Sequence, residues 1–150
     1  MLTRRQRRDG SMGAPAPARV PMPQTLVLDG RRIHDIASFY AEVERVFMAG
    51  VDWPLGHSLD ALDDLLHGGY GALQGAAPAT LVWTDFERNR QALGMDVTRR
   101  MLEDKLVRPG YDVARIRREL EALEAGTGPT FFDIVLEILA SHPNIALVAR

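Results

Sequence analysis

The chain has 150 residues, with 18 Lys and Arg against 20 Asp and Glu, a formal net charge of −2 and no cysteine. That length supports one domain with a real core. The missing cysteines exclude a disulfide scaffold, thiol catalysis and Cys-ligated zinc or iron–sulfur sites, and they fit a reducing cytoplasm. Near-neutral charge gives no general attraction to nucleic acid or to a membrane surface.

Residues 1–23 read as a disordered basic tail. RRQRRDG is followed by SMGAPAPARVPMP, rich in Pro and Ala and without an apolar period to bury. No uninterrupted apolar stretch follows the arginines, as a secretory signal requires. Met12 and Met22 are both plausible starts. A nucleic-acid-binding arm is the functional alternative to a solvated tail. Five arginines against Asp9 leave residues 1–24 at +4, so the remaining 13 basic and 19 acidic residues leave 25–150 at −6. Between Arg45 and Arg88 lie 42 residues without a single Lys or Arg, yet with Asp52, Asp60, Asp63, Asp64, Asp85 and Glu87. Such a segment favours a cationic partner.

From Thr25 the pattern turns globular. TLVLDG predicts a strand closed by a turn. Asp35 caps a helix with Ile36, Phe39, Tyr40, Val43 and Phe47 at helical spacing, ended by Gly50. After the loop VDWPLGH, a second helix starts near Ser58 and buries Leu59, Leu62, Leu65 and Leu66. HGGYGALQGAAP reads as loop. ATLVW (79–83) is a second strand, and Asp85 opens a third helix. Residues 94–130 read as an Arg-rich helical insert with two helical patterns, the second capped by Asp112. FFDIVLEILASH is a final apolar helix, and IALVA a last strand. Three short strands separated by helices predict an α/β fold, a small three-stranded parallel sheet packed with helices, in a domain spanning 24–150. No apolar run approaches a membrane span.

The second helix holds the candidate chemistry. Asp60 and Asp64 lie four apart and project from one face, opposite the leucines, with His67 on the same face and Asp63 beside it. The plain reading is the solvated side of an amphipathic helix. Against it, like charges at this spacing destabilise a helix by a few tenths of a kcal/mol, and no nearby Lys or Arg offsets them. Asp60, Asp64 and His67 are also the ligand set, or the acid–base set, of an alternative hydrolase reading. Trp53 reads as a cap on the core. His34 and His142 read as capping or solvated residues.

The collinear set TLVLDG, RIHDIASFYAEV, PLGHSLDALDDLL, LVWTDFERNR and FFDIVLEILASHPNIALVA resembles the barstar family, the intracellular inhibitors of barnase-like ribonucleases. The resemblance covers about residues 25–93 and 130–150, leaving the 94–130 insert unmatched. It implies a non-catalytic inhibitor without a cofactor, acting in the cytoplasm on a basic ribonuclease or related cationic nuclease toxin. Nucleic acid and membrane are not direct partners on this reading. It also implies that the second helix and its preceding loop form the inhibitory face. Asp64 falls where an aspartate imitates the substrate phosphate, Asp60 pairs a neighbouring arginine, and Glu137 reaches the rim of the same basic site. Gly68 matches a glycine that lets backbone approach closely. Trp53, Gly56, Ser58, Leu59 and Asp63 complete the expected contact surface. Charge steering and aspartate hot spots come with the resemblance rather than from spacing.

The departures are specific. Pro54 and Leu55 stand where family members often carry two aromatics, with Trp53 shifted upstream. Ser58 replaces an asparagine, Asp63 an interface tryptophan, and Gly69 a second tryptophan. A target other than barnase is the expectation, and Arg99, Arg100, Arg115, Arg117 and Arg118 of the insert offer either a second contact surface or an elaboration of the fold. The alternative is a barstar-fold regulatory module without a nuclease target.

Overall fold

The computed structural model describes residues 23–150, so the expected basic tail lies outside the described residues apart from Pro23. The elements are β1 (Gln24–Leu28), α1 (Ile36–Phe47), α2 (Leu59–Leu66), β2 (Ala79–Trp83), α3 (Phe86–Ala92), α4 (Met95–Val107), α5 (Val113–Glu124), α6 (Phe131–Ala140) and β3 (Ile145–Ala149). β2 lies between β1 and β3, and both pairings are parallel. Each crossover carries helices, as parallel pairing demands. The expected α/β class and its three-stranded sheet are therefore observed.

Alternation along β2 buries Ala79, Leu81 and Trp83, in register with Gln24, Leu26 and Leu28 of β1. Trp83 is the centre of the core. It stacks with Phe39 and meets Phe86 and Phe132 at ring separations near 5 Å. Its Nε1–H donates to Asn89 Oδ1 at 2.7 Å, and Asn89 Nδ2 donates to the Gly30 carbonyl at 3.0 Å. A Cβ on Gly30 would lie 2.0 Å from the Thr84 carbonyl oxygen, so only glycine lets the exits of β1 and β2 come together. Glu42 is a buried carboxylate held by Arg45 and by the Asp29 N–H at 2.6 Å.

Helix starts follow the expected caps. Asp35 and Ser38 form a reciprocal capping box on α1, and Asp112 caps α5 through the Arg115 N–H. Three expectations shift locally. α1 closes at Phe47 with Met48 as its cap, and Gly50 takes the left-handed turn beyond it. The Gly-rich loop contains a single 3₁₀ turn at Gly71–Leu73. Asp85 precedes α3 in a left-handed conformation (φ 51°) and makes no side-chain cap bond.

α4 and α5 form a hairpin with a small core of its own, Leu102, Ile116 and Leu123 flanked by Met101, Leu106 and Leu120. Met101 packs against both this cluster and the main core. The buried Thr98 hydroxyl donates to the Gly94 carbonyl and accepts from the Phe131 N–H at 2.8 Å. That bond fixes the start of α6 against α4.

Candidate functional site

α2 is eight residues long, and its orientation is set by Leu62, Leu65 and Leu66, all buried. The Ser58 hydroxyl accepts from the Ala61 N–H at 3.0 Å, which caps the helix. The preceding loop is held by the buried Leu55, whose N–H donates to Glu44 Oε1 at 2.8 Å. Leu59 is half-buried, at the junction of the core and the surface. These anchors place Asp60 and Asp64 on the solvent side. Among the described residues, neither carboxylate takes part in a side-chain hydrogen bond or an ion pair.

Asp63 is placed differently. Its Oδ1 lies 2.7 Å from His142 Nε2, and its Oδ2 lies 3.7 Å from His67 Nδ1. His67 Nδ1 also lies 2.8 Å from the Asp63 carbonyl oxygen. His142 is 6% exposed, which corrects the expectation of a solvated or capping residue. Its backbone N–H does close α6 by donating to the Leu139 carbonyl. The side chain, however, turns inward to α2. The two imidazoles meet edge to face, with centroids 4.7 Å apart.

The hydrolase alternative expected Asp60 and Asp64 to join His67. Among the described residues, the cluster close enough to share one ion is instead Asp63, His67 and His142, with donor atoms within 4.8 Å of one another. His67 is thus paired with a residue 75 positions along the chain and not with the outward aspartates.

The flanking loops supply shape. Trp53 is 53% exposed and meets Tyr70 edge to face at 5.4 Å, so it forms a surface aromatic pair and not the expected core cap. Gly68 has φ +85°, and a Cβ there would lie 2.4 Å from the Leu73 carbonyl oxygen and 2.7 Å from the Ala76 nitrogen. Any side chain would open the Gly-rich loop, whose closure includes the Gly75 N–H donating to the Gly68 carbonyl at 2.8 Å. Gly56 is exposed, and its Cβ position meets Ala61 at 3.4 Å, an ordinary contact. Glu137 lies on the exposed side of α6 with Asp133 and Ala140. α6 packs against α2, yet no hydrogen bond joins Glu137 to Asp60 or Asp64 among the described residues.

Sequence spacing did not reveal a cleft beside Asp60. It encloses about 520 Å³ and brings Lys105, Arg108, Tyr111 and Arg115 of the hairpin to the N-terminal end of α2. His57 lies in this cleft with its ring stacked on the buried Tyr40 at 5.1 Å. Burial pushes the Tyr40 phenol above its usual range. Arg108 and Arg115 are paired within the hairpin, to Asp104 at 2.9 Å and Glu119 at 3.1 Å.

A family model described as Barstar (barnase inhibitor) matches residues 23–125. The matched range spans 94–125, which the resemblance in sequence left out, and stops before α6 and β3, which it included. No curated protein matches the chain.

Proposed function

The chain belongs to the barstar family, and on that premise we propose that it inhibits a basic ribonuclease, or a related cationic nuclease toxin, by laying α2 over the cations that bind phosphate. The observation that carries this reading is the state of Asp60 and Asp64. They are exposed, four residues apart, and without an ionic partner among the described residues. A carboxylate unpaired in the free protein keeps its full attraction for a partner that brings the cation. Asp64 occupies the phosphate position and Asp60 pairs an adjacent arginine. Glu137 assists from α6.

The surface around them fits that role. Ser58, Leu59 and Gly56 shape the approach to α2, and Gly68 keeps the following loop closed on itself. Trp53 and Tyr70 present the aromatic area that this chain lacks within the helix, where Asp63 stands in place of an interface tryptophan. Large aromatic side chains at low entropic cost are the usual anchors of such contacts. Asp63 stands at the edge of the face and holds α2 to the turn before β3. On this reading the protein is an inhibitor without catalytic residues or a cofactor, works in the cytoplasm, and does not bind nucleic acid or membrane. Among the described residues, no helix is long and apolar enough to cross a membrane.

The test is inhibition of candidate cognate nucleases by the full chain, paired with capture of partners from the source cell. Stoichiometric inhibition of a small basic nuclease is the expected result. Capture of a partner with no nuclease activity would replace the inhibitor reading with that of a barstar-fold regulatory module.

A further inference from the structure

We propose that Asp63, His67 and His142 form a binding site for a zinc-class divalent ion, which joins α2 to the turn between α6 and β3. The inference rests on side chains other than the proposed phosphate-mimicking pair, so its test is separate from that of the nuclease reading.

The donor set selects the ion. Two imidazoles and one carboxylate suit zinc and its neighbours, whereas calcium and magnesium take oxygen ligands. Bonds of about 2.0–2.2 Å in tetrahedral geometry place donor atoms about 3.3–3.6 Å apart. The two carboxylate-to-imidazole separations here, 2.7 and 3.7 Å, bracket that value. All three donors fall within 4.8 Å of one another, and closing the site requires His67 Nδ1 to exchange its contact with the Asp63 carbonyl oxygen, 2.8 Å away, for the ion.

The scaffold holds the donors before any ion arrives. His67 ends α2, its N–H donating to the carbonyls of Asp63 and Asp64. His142 is fixed by the bond from its N–H to Leu139 and by the Ile145 N–H donating to its carbonyl at 3.1 Å. His142 is buried and His67 exposed, so an ion can reach the cluster from the His67 side. Three protein ligands with one open position is a common zinc arrangement. Residues 46–87 contribute no Lys or Arg that would compete with an ion for Asp63.

Tag-free full-length protein, stripped with a chelator, is titrated with Zn²⁺ by calorimetry and by thermal melting. Co²⁺ is then used as a spectroscopic probe. The expected result is one equivalent bound, a higher Tm with the ion, and the strong visible absorption of tetrahedral Co²⁺. His67→Ala, at an exposed position, weakens Zn²⁺ binding about tenfold or more and abolishes the cobalt bands. Asp63→Asn, close in shape to the parent, does the same. His34→Ala leaves both unchanged. Absence of saturable one-to-one binding overturns the proposal. So does equal affinity in His67→Ala and Asp63→Asn, which would mean an adventitious ion only, with the cluster a hydrogen-bonded carboxylate–imidazole pair.

Discussion

α2 and the α4–α5 hairpin are both amphipathic and densely charged, but they dispose of their charge differently. In the hairpin much of the charge is matched within the chain: Arg99 bridges Glu124 across the two helices and also reaches Asp96, Arg108 meets Asp104, and Arg115 meets Glu119, while Arg100, Lys105, Arg117 and Arg118 take part in no ion pair among the described residues. In α2, Asp60 and Asp64 face solvent with no such partner among the described residues, and only Asp63 is turned to an imidazole. Charge paired inside the chain serves the fold or costs it little. Charge left unpaired at helical spacing costs a little stability and is available to something outside. On the proposed reading α2 is the contact surface and the hairpin a support, whose cations border Asp60 across a shared cleft.

The contrast can be broken first through the hairpin core. Leu123→Ala empties a buried site in a three-residue cluster and should cost about 2–5 kcal/mol in denaturant unfolding, while nuclease affinity stays near the parent value. A large loss of affinity would make the hairpin part of the interface. A second prediction concerns a carboxylate that does find donors in its own chain. Bonds from the Ser38 N–H and hydroxyl hold the Asp35 carboxyl below its usual range. Asp35→Ala should lower stability by about 1 kcal/mol. Because the folded-state value is depressed, that contribution is complete above about pH 4 and fades as pH falls further. The variant should therefore show a flatter acid limb in Tm against pH.

Smaller effects sharpen the comparison. Arg99→Ala removes the bridge between α4 and α5 at the surface, and thermal melting should register only a slight loss, because solvent screens an exposed pair. Asp60→Ala relieves repulsion with Asp64 but removes the acid from the first turn of α2, where the helix dipole favours it, so thermal melting of the free protein should shift by no more than a few tenths of a kcal/mol.

Much of this organisation is legible in sequence because it is local. The three strands, the Ser58, Asp35 and Asp112 caps and the leucine stripe of α2 follow from periodicity and capping chemistry over a few residues. What escaped depends on distant contacts. His142 looks like any polar residue after a helix, and its link to Asp63 spans 79 positions. Thr98 is buried within a polar helix because its oxygen accepts from the Phe131 N–H, 33 positions away. Trp53 reads in sequence as a cap on the core, yet Leu55 takes the buried place in that loop and leaves the indole beside Tyr70. The outward aim of Asp60 and Asp64 was readable, while the inward turn of Asp63 was not, since one helix position decides between water and a partner from the far end of the chain.

The most direct measurement is the Kd of the full chain and of Asp64→Ala for one nuclease that the parent inhibits, each at low and high salt. A lost interface hot spot predicts weakening by about 2 kcal/mol or more, roughly thirtyfold in Kd, and a shallower salt dependence for the variant. Equal affinity and equal salt dependence in the two proteins would contradict the placement of Asp64 at the phosphate-binding cations.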